Sequence, residues 1–395
     1  MYVLASLSAI FFPLLAPIYI CFALRGRQSP FLTAVAIGML FGILASCIDT
    51  VIQSDLDRYA SLIDSFRGLT LLEAANMGGS YSGQIVYMLI FWLLANLRLG
   101  FLLNFIVGFV AYSVPTYIIF DYCLREKTDR WHALIILCSY IVLVPFFNMI
   151  SYVRSTLAFS IVLMAAYLDL YRGKKSPIIY ILYISAPLLH YSTLPIVALS
   201  FVAKAHIRSS ILYLLGALII TIVPIVVAIQ PVISLVFGGI PGLSIIASAA
   251  NRLALYVRST GDVWAIASQN SSLISGYRFL YMGMSLLGLF MYGRLDGKEK
   301  FAPFYRLIFL WCLLTVSVGL FITFDVFFRY AMPLAVLVLL IKGEQIKGYF
   351  GLIVNSAFAI MIIASGFVQI AYLADIVDVT YFAYHFLLGV AGFIR

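Results

Sequence analysis

The chain has 395 residues, of which 64% are hydrophobic and 10% charged, well below the roughly one-quarter charged of a soluble domain. Its net charge of +9 does not point to nucleic acid, because the cations fall mostly in short turns between apolar runs, where they set membrane topology. The five cysteines have no C-x-x-C spacing and lie in or beside apolar runs, which disfavours metal and disulfide chemistry.

At about 20 residues per crossing, the apolar segments suit about 12 transmembrane helices. The expected fold is therefore an all-α polytopic membrane protein, a single transmembrane domain over residues 1–395. The runs are continuous and do not alternate, which argues against a barrel. Residues 2–24 form the first helix, long enough to be retained instead of cleaved. It ends at Arg25 and Arg27, and short cytoplasmic loops collect such residues. Residues 31–48 return outward.

The segment 49–98 is then a first large periplasmic region. Its early charges are mainly acidic: Asp49, Asp55, Asp57, Asp64 and Glu73 against Arg58 and Arg67. Within it, residues 84–97 are apolar but make a helix of only about 21 Å, short of a roughly 30 Å hydrocarbon core. They read as an interfacial or re-entrant helix. Residues 99–120 cross inward, 121–130 turn at the cytoplasm, and 131–150 cross outward.

The stretch SYVRSTLAFSIVLMAAYLDLYRGKK follows, over residues 151–175. Arg172, Lys174 and Lys175 place its end at the cytoplasm, so Arg154 stands at the opposite face. An arginine in the apolar part of a helix costs about 2.5–3.5 kcal/mol even on the lenient insertion scale. That cost calls for a partner, and the N–H groups of a first helical turn favour an anionic one.

Residues 177–190 and 191–203, punctuated by Pro187 and Pro195, are too short for two straight spans. A broken or re-entrant hairpin fits, with His190 at its outer turn. Residues 211–229 lead to a second periplasmic region, the loop 230–276. Helices at 276–292, 302–323, 326–341 and 350–373 complete the bundle, and 381–394 is expected at the interface. No internal repeat and no soluble domain is visible.

Polar residues that topology does not require gather at the outer face. Arg154, Arg329, Arg252, Arg258 and Arg278 suit a phosphate or pyrophosphate, which a guanidinium fork binds bidentately without a metal. Pairing with an outer carboxylate such as Asp325, or snorkelling to lipid phosphate, explains them equally. His190, in LLHYSTLP, is a candidate proton acceptor or an interhelical hydrogen-bonding residue. In SDLDRYASLIDSF a helix would put Asp55 and Tyr59 on one face, a carboxylate and an aromatic ring suited to a sugar. Asp57 and Arg58 fit the same site or a solvated pair. Arg252 and Arg258 are six apart and about 120° from one another on a helix. There is no phosphate-binding glycine loop, H-E-x-x-H or G-x-S-x-G motif, and Asp55-x-Asp57 lies on the side where nucleotide sugars are absent.

This pattern resembles the bacterial O-antigen and exopolysaccharide polymerases of the Wzy/EpsG type. Asp55 to Tyr59 matches that family's D-x-x-x-Y element, without the glycine often found before the aspartate. SYVRSTLAFS is similar to its arginine-led helix: Arg154 and Ala158 fit, and Ser155 stands where glutamine is usual. LLHYSTLP, with His190 and Ser192, resembles the histidine-x-serine segment, and FFRYAMP, with Arg329 and Tyr330, the late arginine-tyrosine element.

The resemblance implies transfer of a growing glycan from undecaprenyl pyrophosphate to a lipid-linked repeat unit at the periplasmic face of the bacterial inner membrane. No cofactor and no metal is expected. The implied partners are the lipid-linked repeat units, the growing polymer, membrane lipid and a chain-length regulator, with no nucleic acid. Arg154, Arg329, Arg252, Arg258 and Arg278 would hold pyrophosphate. His190 is the first candidate for base, followed by Asp55 and Asp57, and Tyr59, Arg58, Tyr191 and Tyr330 would contact sugar. An O-antigen ligase shares the donor, and a lipid-linked oligosaccharide flippase or transporter shares the broken helices.

Overall fold

In the computed structural model the described residues are 2–11, 29–48, 55–77, 85–100, 102–205, 272–295, 302–321, 324–342 and 349–376, with short pieces between 15 and 20 and between 214 and 236. The expected loop 230–276, with Arg252 and Arg258, and the tail 381–394 lie largely or wholly outside them. Among the described residues the secondary structure is helical, with no strand. The chain divides into two compact units, Met1–Val197 with Ile362–Arg395, and Ala198–Met361.

The helices of the first unit are α1 (Tyr2–Phe11), α2 (Pro30–Ser46), α3 (Asp55–Ser65), α4 (Leu71–Met77), α5 (Ile85–Asn96), α6 (Leu102–Arg125), α7 (Arg130–Leu143), α8 (Phe146–Ser151), α9 (Val153–Ala166) and α10 (Pro177–Leu189). A π-helical turn, Tyr167–Tyr171, extends α9, and a 3-10 turn, Tyr191–Thr193, joins α10 to α11 (Leu194–Lys204). The second unit holds α12 (Ser272–Arg294), α13 (Pro303–Phe321) and α14 (Phe324–Lys342); α15 (Tyr349–Ile376) ends in the first.

Among the described residues three helices, Leu102–Arg125, Val153–Tyr171 and Pro303–Phe321, are long and apolar enough to cross a membrane, and several shorter apolar helices accompany them. The protein is membrane-embedded. The apolar stretch 84–97 is a short helix, α5, and 177–203 is two short helices meeting at His190.

In the first unit α2 lies along α6. The approach depends on small residues, as in membrane helix pairs generally. A Cβ on Gly108 would stand 2.6 Å from the Ala45 Cβ and 2.6 Å from the Phe41 carbonyl, and one on Gly38 only 2.8 Å from the Ser113 Cβ. The Phe41 and Tyr112 rings stack at 3.8 Å between centroids on the same interface.

The span expected over 131–150 is divided. Val144 is extended (φ −97°, ψ 114°) and Pro145 opens α8; proline lacks the N–H a continuing helix would need. The carbonyls freed at the break find donors on α15. Ser365 Oγ donates to Val142 O (2.8 Å) and Leu143 O (3.0 Å), and Gln369 Nε2 to Val142 O (2.7 Å) and Val144 O (3.0 Å). Side chains of neighbouring helices re-satisfy freed backbone groups in this way where an apolar helix breaks.

The C-terminal ends of α6 and α9 share a charged cluster. Asp121, 6% exposed, accepts from Tyr167 Oη at 2.7 Å, Arg125 Nε at 3.0 Å and an Arg172 nitrogen at 3.4 Å. Arg172 also donates to Tyr117 Oη at 2.9 Å. This carboxylate neutralises basic residues that sequence reasoning treats as topology signals alone.

Candidate functional site

The site grows from the irregular backbone between α8 and α9. The N–H of Tyr152 donates to Asn148 O (3.0 Å), its own carbonyl accepts from Thr156 N–H (2.8 Å), and Thr156 Oγ1 donates to Met149 O (2.6 Å). This tight join sets Arg154 at the second position of α9.

Arg154 does have a partner among the described residues, the phenol of Tyr59. Its Nε donates to Tyr59 Oη at 2.9 Å. Its guanidinium carbon stands 5.6 Å from the Tyr59 ring centroid and 5.0 Å from that of Tyr87, within cation–π range. Arg58 approaches the same tyrosine, with NH2 3.5 Å from Oη and the guanidinium carbon 5.3 Å from the ring. Two cations thus converge on one phenol.

The rings are fixed in turn. Tyr59 is 2% exposed and Tyr87 fully buried. Phe91 meets Tyr59 edge-on at 5.5 Å and lies 4.3 Å from Tyr87. These three rings belong to a buried core that also holds Val153, Leu157, Ala158 and Leu189. The core therefore ties α3 and α5 to the start of α9 and the end of α10. A guanidinium held through Nε and by ring faces keeps its planar fork in one orientation, which suits bidentate binding of phosphate oxygens.

His190 directly follows the core residue Leu189 and is extended (φ −155°, ψ 115°). Its carbonyl accepts from Thr193 N–H at 3.1 Å and Thr193 Oγ1 at 2.9 Å. Its Nδ1 lies 3.2 Å from Ser192 N and 2.5 Å from Ser192 Oγ. Tyr191, at the start of the 3-10 turn, is 41% exposed.

The structure therefore joins Arg58, Tyr59 and Arg154 in direct contact and seats His190 beside their shared core. Asp55 and Asp57 occupy the first turn of α3, Asp55 one helical turn before Tyr59. Arg278, Arg329 and Tyr330 belong to the second unit. Arg278 is buried: its Nε donates to Gly319 O at 2.9 Å, NH2 to the same carbonyl, and Phe327 lies 6.0 Å away. In this arrangement Arg278 ties α12 to the end of α13. Tyr330 is buried and its carbonyl accepts from Trp311 Nε1 at 3.1 Å; Arg329 is half-buried.

Sequence reasoning passed over Tyr87 and Phe91. They are the aromatic pair at i and i+4 in the short helix α5, a spacing that puts both on one face. Among the described residues no cluster of three or more His, Cys, Asp or Glu is placed to hold a metal ion.

A membrane-embedded helical protein with an arginine clamped by tyrosines beside a histidine-bearing turn is the class that fold and site define. The profile of the EpsG family matches residues 33–386, most of the chain, and the chain belongs to that family. Membership implies a glycosyltransferase-like polymerase of polysaccharide biosynthesis. No curated protein and no solved structure matches the chain.

Proposed function

We propose that this protein polymerises O-antigen or exopolysaccharide at the periplasmic face of the inner membrane. It moves a growing glycan from undecaprenyl pyrophosphate onto a lipid-linked repeat unit. The observation that carries this reading is the Arg154–Tyr59 bond, which joins two of the four segments whose motifs resemble the polymerases, with Arg58 converging on the same phenol.

In the reaction, a sugar hydroxyl of the acceptor attacks the anomeric carbon of the donor. A new C–O bond forms, the bond to pyrophosphate breaks, and undecaprenyl pyrophosphate leaves with its electron pair. Charge grows on the leaving group, and an oriented guanidinium stabilises it without reorganising during the step. Arg154 fills this role. Arg329, with Arg252 and Arg258, is the further candidate for the second pyrophosphate. The hydroxyl proton passes to a base, for which Asp55, Asp57 and His190 are the candidates, contributing about 10²–10⁴-fold.

The test is polymerisation of defined lipid-linked repeat units by the purified protein. Ladder formation that falls at least about 100-fold in Arg154→Ala, with the protein still folded, is expected. A wild-type protein that makes no polymer, or an Arg154→Ala protein as active as wild type, would refute the reading.

A further inference from the structure

The turn after α10 determines which nitrogen of His190 works, and in which state. A backbone N–H only donates. The Ser192 amide, 3.2 Å from Nδ1, therefore requires a lone pair on Nδ1. In a neutral imidazole the proton must then sit on Nε2. The geometry is that of an N-cap: the His190 ring accepts from the second residue of the 3-10 turn, much as a short polar side chain caps a helix.

The rest of the residue is held as firmly. Thr193, fully buried, donates through both N–H and Oγ1 to the His190 carbonyl, and Ser192 Oγ lies against Nδ1 at 2.5 Å. A proton on Nδ1 would face the amide hydrogen of Ser192. A histidine so held has no lone pair on Nε2 with which to take a proton from a sugar hydroxyl.

We infer that His190 is a hydrogen-bond donor through Nε2–H and not the general base, with Ser192 as the positioning residue that holds its tautomer. Resting on the polymerase reading above, its acceptor is a phosphate oxygen of the lipid-linked substrate, where a neutral donor adds to the Arg154 guanidinium as negative charge develops. The proton of the attacking hydroxyl then falls to a carboxylate of the first turn of α3, Asp55 or Asp57.

Two substitutions separate donor from base. The amide nitrogen of His190→Gln reaches about where Nε2 lies, so it restores a donor but no base. Asn in His190→Asn keeps an acceptor for the Ser192 amide, and so the cap, but has nothing at the Nε2 position. Folding of each is checked by size-exclusion profile, and activity by in vitro polymerisation. H190Q is expected to retain activity at least tenfold above H190N and H190A, which lose about 10²–10³-fold, the usual effect of deleting one transition-state donor. H190Q no better than H190A overturns the donor role.

A second measurement does not depend on turnover. Histidine-selective ¹⁵N magnetic resonance of the membrane-reconstituted protein reads the tautomer directly, the His190 signals being those lost in H190N among the four histidines. A protonated Nε2 with an unprotonated Nδ1 is expected; the opposite tautomer overturns the inference. A wild-type protein that shows the expected tautomer but makes no polymer would instead reject the polymerase reading and leave the ring geometry standing.

Discussion

Arg154 Nε donates to Tyr59 Oη at 2.9 Å, across 95 positions of sequence. The bond converts an arginine that the membrane disfavours into an oriented group, because the phenol is itself locked in a buried core. Removing the guanidinium and removing only the bond are therefore different experiments. Arg154→Ala and Arg154→Lys are both expected to lose at least about 100-fold in polymerisation, since lysine lacks the planar fork. Tyr59→Phe keeps the ring and deletes the hydroxyl, with an expected loss of about tenfold, close to the lower bound of about 1.5 kcal/mol for a hydrogen bond to a charged group. Complementation of a polymerase-deficient strain, scored by the length of the polysaccharide ladder at matched expression, reads all three.

Asp121 provides the second prediction. It accepts from Tyr167, Arg125 and Arg172, and deleting it leaves cations uncompensated at the ends of two helices long and apolar enough to span. Asp121→Ala is expected to destabilise the protein by about 3 kcal/mol, the low end for breaking a buried pair, because Arg125 is 43% exposed. Thermal unfolding in detergent, followed by loss of the monodisperse peak, measures it. A melting temperature equal to wild type would refute the role.

The α2–α6 interface has no room to grow. Gly108→Val places a Cβ where Ala45 Cβ and Phe41 O already stand at 2.6 Å, and overpacking of this kind costs about 1–3 kcal/mol. Lower yield of folded protein and a lower melting temperature are expected. Gly276→Ala is the control, because a Cβ there meets nothing within 4 Å.

Glu73 carries a pH dependence. Its carboxylate accepts from Thr70 N–H (2.8 Å) and Thr70 Oγ1 (2.7 Å), and Thr70 Oγ1 accepts from Glu73 N–H (3.3 Å), a capping box at the start of α4. The two bonds from Thr70, backbone first, hold the Glu73 carboxyl below its ordinary value of 4.5. A carboxylate depressed on folding stabilises the folded form above its unfolded value. That contribution disappears as pH falls through the folded value. Hydrogen exchange over Leu71–Met77, corrected for the intrinsic rate, should accelerate at acid pH in wild type. In Glu73→Ala, which has no side-chain acceptor for the Thr70 N–H, it should already be fast at neutral pH.

Much of the architecture is legible along the chain, because apolar runs are local sums. The helices found at Pro30–Ser46, Ser272–Arg294, Pro303–Phe321 and Phe324–Lys342 fall where hydropathy puts them. The break at His190 follows from two stretches too short to be straight spans. The motifs that resemble the polymerases are short and ordered along the chain, and the family assignment agrees with them. The division at Val144–Pro145 was harder to read, because a proline inside an apolar run signals a kink or a break, and the donors on α15 that permit the break are more than 200 residues away.

What sequence alone determined, then, is that the chain is a helical membrane protein with Arg154 at the start of a helix and His190 between two short ones. Tertiary structure decided what these groups touch. It gave Arg154 a phenol and two ring faces, closed the guanidinium of Arg278 onto Gly319, and set Ser192 against Nδ1 of His190. The physical reason is range. Hydropathy and helix ends depend on neighbours within a few turns, whereas the partner of a polar group at membrane depth is whichever donor or acceptor the packed helices bring within about 3 Å.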